Sequence, residues 1–252
     1  MVQSYKLKNK KILVTGSNSR FCKFLKEDLK NYKVYFTTKK NFNILKFKNM
    51  EKFIKSKKID YIIHIAGLSR PMNIHDKNIQ LSIDLNIIGT ANIVKICDKY
   101  KIKLVYFSTS YVYPGNKGNY KESSYLMPIN NYAWSKLAGE ACVKFLKNYL
   151  ILRLCITDYP FVHKKAIKGA VSSFIYNKNV SKIIPFLLDE KGILNVGGKT
   201  RDIFDFAKKF SNRKILPINY RKIKNFPKNS SINISRFKKI LKKKGVLKNI
   251  IF

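Results

Sequence analysis

Acidic residues are the scarcest charge in this chain. Only 14 Asp and Glu stand against 52 Lys and Arg in 252 residues, a formal net charge of +38. Such a balance ordinarily points to nucleic acid or an anionic membrane surface. Arginine is scarce too: it supplies seven of the 52 basic residues, and planar recognition of phosphates and base edges favours Arg over Lys. Lysine is spread along the whole chain together with Asn and Ile, as a general bias rather than a built patch. Nucleic acid is therefore not expected as the main partner. The four cysteines, Cys22, Cys97, Cys142 and Cys155, show no C-x-x-C spacing, and the three histidines are dispersed. That scatter argues against a metal site or a disulfide framework and reads as reduced core thiols. No apolar run approaches the roughly 18 residues of a membrane span. The opening MVQSYKLKNK runs straight into a strand-like segment without a leader's apolar core. A cytoplasmic location is expected.

The apolar fraction, 45%, is enough for a full core. Short apolar runs alternate with helical patterns. KILVTG (11–16), KVYFTT (33–38), DYIIHIAG (60–67), KLVYFS (103–108) and YLILRL (149–154) read as strands. Helices are expected at 20–31, 46–57, 78–100 and 130–149, the third with Leu81, Leu85, Ile88, Ile93 and Ile96 inward. Continuous apolar strands alternating with helices predict an α/β fold, a Rossmann-type doubly wound parallel sheet. Beyond Arg153 the pattern is less regular: a strand at GILNVGG (192–198) and helices at 201–210 and 234–244, the last with a solvated lysine face. The expected division is a dinucleotide-binding domain over 1–155 and a small substrate-binding lobe over 156–252, interleaved with the first.

Tyr132 and Lys136 lie four apart in YAWSKLAGE (132–140). On a helix they share one face. Upstream, the strand KLVYFSTSYV ends in hydroxyls, with Thr109 among them. A phenol alone titrates too high for proton exchange at neutral pH, and a nearby ammonium favours the phenolate. A hydroxyl such as Thr109 can hold a carbonyl oxygen as charge develops on it. The constellation suggests redox or proton chemistry at a carbonyl.

The turn after the first strand reads Gly16-x-x-Ser19-x-x-Cys22. Gly16 supplies the tight turn of a pyrophosphate loop, while Ser19 and Cys22 stand where further small residues would sit. No Asp or Glu ends the second strand to hold a ribose diol. Thr37, Thr38, Lys39 and Lys40 stand there instead and tolerate a 2′-phosphate, so NADP is preferred to NAD.

TGSNSRF, IDYIIHIAG, DLNIIGTANIV, VYFSTSYVYPG and YAWSKLAGE occur here in the order found in extended short-chain dehydrogenases/reductases, the NAD-dependent epimerase/dehydratase superfamily. Within these, the STxYV run and the tail PKNSSINISRFKKIL (227–241) most resemble dTDP-4-dehydrorhamnose reductases and similar sugar-nucleotide reductases. The resemblance covers nearly the whole chain. It implies an oxidoreductase with NADP or NAD and a nucleotide-sugar substrate, as in dTDP-rhamnose and polysaccharide biosynthesis. It further implies Tyr132 as proton donor, Lys136 as the residue that lowers its pKa and binds the nicotinamide ribose, and Thr109 and Ser110 at the sugar. Ser19, Arg20 and Phe21 would line the pyrophosphate. Asn43 and Ile44 would flank adenine, and Ala66 and Gly67 the ribose side. Asn86 would be structural or part of a proton relay, and Arg153 would close the strand into the substrate lobe as a substrate contact. Ser19, Cys22, Asn43 and Ile156 depart from the family pattern. A nucleotide-sugar epimerase remains an alternative. A dehydratase is disfavoured because no acid follows Thr109. A non-catalytic NADP-binding regulatory subunit, as in methionine adenosyltransferase, is the reading from another class. A homodimer is left open.

Overall fold

A computed structural model describes residue 7 and residues 9–211 and 213–250. Six strands form one parallel sheet: β1 (Lys11–Thr15), β2 (Lys33–Phe36), β3 (Tyr61–His64), β4 (Lys103–Thr109), β5 (Tyr149–Leu154) and β6 (Gly192–Val196). Their spatial order is β2-β1-β3-β4-β5-β6. From β1 the chain turns one way to β2 and then back across to β3. This is the reversal at which an open α/β sheet leaves a crevice beyond its strand ends. The doubly wound expectation is met, and the late strand β6 pairs in parallel with β5.

The strands are apolar throughout because both faces are covered. Ile12 and Val14 of β1, with Val105 and Phe107 of β4, pack with α1 (Arg20–Asp28) and the C-terminal helix Ser235–Lys243. Leu13, Leu104, Tyr106 and Ile151 face the other side, with α2 (Phe47–Lys57) and the residues Ile93, Ile96 and Val143. The C-terminal helix buries Phe237 and Leu241 and leaves Lys239, Lys242 and Lys243 exposed, the amphipathic pattern expected of it.

The long helix over 79–99, called α3 here, departs from its expected face. It opens as Ile79–Ser82, passes through a π-helical stretch Ile83–Ile88, and continues as Gly89–Lys99. The wider turn rotates the inward face. Ser82, Asn86 and Thr90 are buried, while Ile88 is 44% exposed and Leu81 and Leu85 are only half-buried. Ile93 and Ile96 are inward as expected. Helix α4 (Asn131–Val143) is also shorter than the expected 130–149: it stops at Val143 so that a turn can bring Leu146 inward before β5 begins.

Beyond β5 the chain makes short pairings: Ile156–Thr157 with Ile175–Tyr176, Lys165–Lys168 with Leu216–Asn219, and Val171–Ser172 with Arg201–Asp202. Helix Ile203–Phe210 closes a separate apolar cluster of Phe161, Ala166, Tyr176, Phe206 and Ile215.

Candidate active site

Helix α4 begins on Asn130, whose side chain accepts from Ala133 N at 2.9 Å. This cap fixes the first turn, and with it Tyr132. Strand β4 ends at Thr109, where the chain tightens into a 3-10 turn, Ser110–Val112. Thr109 Oγ1 accepts from Tyr111 N at 3.3 Å, and its hydroxyl lies near enough to the Tyr132 phenol to favour the ionised form. The strand-end hydroxyl and the helix phenol, 23 residues apart in the chain, therefore meet.

Burial raises the Tyr132 pKa above the ordinary tyrosine value, and the Thr109 hydroxyl and the Arg70 charge pull it back. Lys136 is 8% exposed and sits one turn on. Its ammonium lies over the Tyr106 ring, 4.2 Å from the centroid. Burial lowers its pKa to about 7, against a smaller upward pull from Glu140. The unfolded chain keeps this proton up to about 10.5, the folded chain only to about 7. Between these values the unfolded state binds more protons, so folding stability rises with pH across that window, and the full cost of burying the charge is present below it. Compared with Lys136→Met, the wild type is expected to gain on the order of several kcal/mol between pH 7 and pH 10. Paired denaturation curves at each pH measure this, and parallel curves contradict it.

Asn86, in the π-helical stretch, ties two parts of the site together. Its Oδ1 accepts from Leu68 N at 2.6 Å, and its Nδ2 donates to Leu68 O at 2.9 Å and to Ser135 Oγ at 2.8 Å. Ser135 in turn donates to Tyr132 O at 2.8 Å. One amide thus holds the turn after Gly67 and the first turn of α4. Below it runs a second chain. Thr15 Oγ1 accepts from the Ile65 and Ala66 amides, each at 3.1 Å, which leaves its proton for His64 Nδ1 at 2.8 Å. His64 Nε2 then donates to Thr90 Oγ1 at 3.2 Å, and Thr90 donates to Asn86 O at 2.8 Å. Burial, with Lys136 nearby, lowers the His64 pKa to about 3 and keeps it neutral in this role.

At the crevice, Gly16 has φ +72, and a Cβ there would stand 2.7 Å from Ala66 N. Only glycine lets the loop lie against the end of β3. Ser19 caps α1 by accepting from Cys22 N at 3.3 Å. The Arg20 and Phe21 amides are left as the orphan donors of the first turn, a donor set that fits a dinucleotide pyrophosphate. The Phe21 ring itself is core, edge-on to Phe107 at 5.1 Å between centroids. The Arg20 guanidinium reaches Asp158 Oδ2 at 2.6 Å, and Arg70 reaches the same oxygen at 2.6 Å. Asn43 turns its side chain onto Leu45 N at 3.0 Å, and Ile44 is buried against Gly89 and Asn92.

Two expected substrate contacts lie inside the protein. Ser110 is 2% exposed, beside the Cys155 thiol. Arg153 is 1% exposed, and its donors are spent on partners inside the protein. Its NH2 lies 2.8 Å from Glu140 Oε2, and its NH1 donates to Tyr113 Oη at 2.9 Å and Glu122 O at 3.1 Å. Burial disfavours its charge, but Glu140 and Tyr113 outweigh that and hold its pKa above the ordinary value. Sequence reading missed Arg70, His75 and Asp158. A lone Glu in an apolar helix and a lone Arg in an apolar strand were signals that could have paired Glu140 with Arg153. Among the described residues no group of three or more His, Cys, Asp or Glu is placed to hold a metal ion, and no helix is long and apolar enough to cross a membrane.

A parallel sheet reversing at β1 and β3, with Thr109, Tyr132 and Lys136 gathered beside that crevice, defines an extended short-chain dehydrogenase/reductase fold. The model of the RmlD substrate binding domain matches residues 10–159, more than half of the chain, and the chain belongs to that family. A dTDP-4-dehydrorhamnose reductase from Bacillus anthracis str. Ames, solved in complex with NADP, is 26% identical, with 89% of this chain and 90% of that one covered at a TM-score of 0.80. Methionine adenosyltransferase 2 subunit beta of Xenopus laevis is 33% identical over 101 residues, 40% of this chain. The dTDP-D-glucose 4,6-dehydratase of Dictyostelium discoideum is 31% identical over 172 residues, 60% of this chain. The chain spans 30% and 38% of the length of these two curated relatives.

Proposed function

We propose that this chain reduces a nucleotide-linked 4-keto sugar with NAD(P)H. The observation that carries the reading is the Thr109 hydroxyl beside the Tyr132 phenol with Lys136 one turn away, in a chain of this family. Bound NAD(P)H supplies the hydride. The Arg20 and Phe21 amides, at the turn made by Gly16, would hold its pyrophosphate. The exposed Lys39 and Lys40 beyond β2 would favour a 2′-phosphate, and with it NADPH. Thr37 is spent internally, its hydroxyl donating to Val14 O at 3.0 Å. Thr109 and Tyr132 donate to the ketone oxygen, and Tyr132 gives its proton as the alkoxide forms. Lys136, when charged, favours the phenolate left behind.

The test is absorbance of NADPH with purified protein and dTDP-4-dehydrorhamnose, together with identification of the product. Stoichiometric loss of NADPH and gain of the alcohol are expected. Interconversion of sugars without net NADPH loss would make the chain an epimerase. The match to methionine adenosyltransferase 2 subunit beta favours a second reading, a non-catalytic regulatory subunit. A stable complex with a methionine adenosyltransferase, without turnover of any nucleotide-linked ketone, would decide for it.

A further inference from the structure

The segment between β3 and α3 carries a histidine that the proposed chemistry does not use. His75 is 1% exposed, and its ring centroid lies 5.1 Å from that of Tyr132. Nδ1 is fastened to Ser82 Oγ at 2.7 Å. Among the described residues, Nε2 is the one buried side-chain nitrogen or oxygen without a hydrogen-bond partner. Leaving such a group unpaired costs about 1–3 kcal/mol.

His64 is the internal comparison. It is equally buried and also near Lys136, yet both of its ring nitrogens are satisfied, by Thr15 and Thr90. A histidine kept only for packing would be expected to look like His64. His75 instead holds one nitrogen in place and leaves the other open, beside the phenol that meets the reacting oxygen. The position is anchored independently of any ligand. The next residue, Asp76, accepts from Asn131 Nδ2 at 2.8 Å, which ties this segment to the start of α4. Tyr132, half-buried, is the ring that the imidazole packs against.

The chemistry narrows what that ligand presents. The Ser82 contact can run either way: serine donates to Nδ1 and leaves Nε2–H as donor, or Nδ1–H donates and leaves Nε2 as acceptor. A hydroxyl satisfies both arrangements. A phosphate or a ketone, which only accepts, satisfies one. We propose that His75 is a substrate-binding residue whose Nε2 exchanges a hydrogen bond with a sugar hydroxyl while the carbonyl rests on Thr109 and Tyr132. The inference rests on the nucleotide-sugar reading above and names the part of the substrate that His75 reads.

Calorimetric titration of the NADP-saturated protein with dTDP and, separately, with dTDP-rhamnose tests it. The wild type is expected to bind dTDP-rhamnose more tightly than dTDP. His75→Leu is expected to weaken dTDP-rhamnose about tenfold while leaving dTDP and NADP affinities unchanged. His75→Asn should restore part of the loss. If the wild type gains nothing from the sugar, the nucleotide-sugar reading fails and this inference falls with it. If the wild type gains and His75→Leu keeps the gain, the nitrogen is satisfied by a buried water and the inference alone is overturned. Should His75→Leu not fold, Ser82→Ala decides, since it leaves the imidazole in place but unfastened. A selective loss for the sugar supports the assignment, and an unchanged sugar increment removes it.

Discussion

Replacing Tyr132 by Phe is expected to lower the rate of ketone reduction by about 10²–10⁴-fold while the protein still folds and binds NADPH. The substitution removes one oxygen and leaves the ring against His75 and Tyr111, 5.1 and 6.5 Å away between centroids. What disappears is the proton and the donor that shares the ketone oxygen with Thr109. Single-turnover kinetics separate the effect from binding: the chemical step slows, while the NADPH dissociation constant stays within a factor of about two. A variant that turns over at the wild-type rate would remove Tyr132 from the chemistry. Loss of NADPH binding would place the phenol in the cofactor site rather than at the reacting oxygen.

The second large effect concerns stability. Glu140→Ala is expected to cost about 3–5 kcal/mol, because it strands a guanidinium with nowhere to go. Glu140 and Arg153 are 0% and 1% exposed. Ser108 Oγ also donates to Glu140 Oε1, at 2.5 Å. Tyr113, which accepts from Arg153, donates onward to Asn195 Oδ1 at 2.8 Å. The network therefore joins α4 to β4, β5 and β6 in succession. A matched apolar pair, Glu140→Leu with Arg153→Met, should recover most of the loss, since replacing both charges removes the desolvation cost along with the attraction. Denaturant unfolding of the two single variants and the double one measures the coupling. Additive losses would show that the pair does not act as a unit.

Strands buried on both faces need apolar side chains at every position, so β1, β3, β4 and β5 stand out as continuous runs. Thr109, Tyr132 and Lys136 were legible for a similar reason, since their relation depends on one strand end and one helical turn. Other features depend on contacts that no local window contains. Arg20 and Asp158 are 138 residues apart, and neither residue type nor spacing pairs them. His75 is followed by exposed Asp76, Lys77 and Asn78, with no periodicity to mark it as buried. The inward face of α3 departs from a 3.6-residue period because the stretch Ile83–Ile88 winds more widely. Arg153 was placed at the substrate by resemblance. In β5 it points the same way as Ile151, toward α4, and Glu140 waits there.

Arg20 and Arg70 approach one oxygen of Asp158 from opposite sides of the crevice, one from the start of α1 and one from the turn beyond β3. Free arginines sample many rotamers, and gathering two of them around an anion ordinarily costs entropy at the moment of binding. Here a carboxylate rooted after β5, and steadied by Asn177 Nδ2 at 3.2 Å, has already gathered them. The cationic seat is assembled as the chain folds.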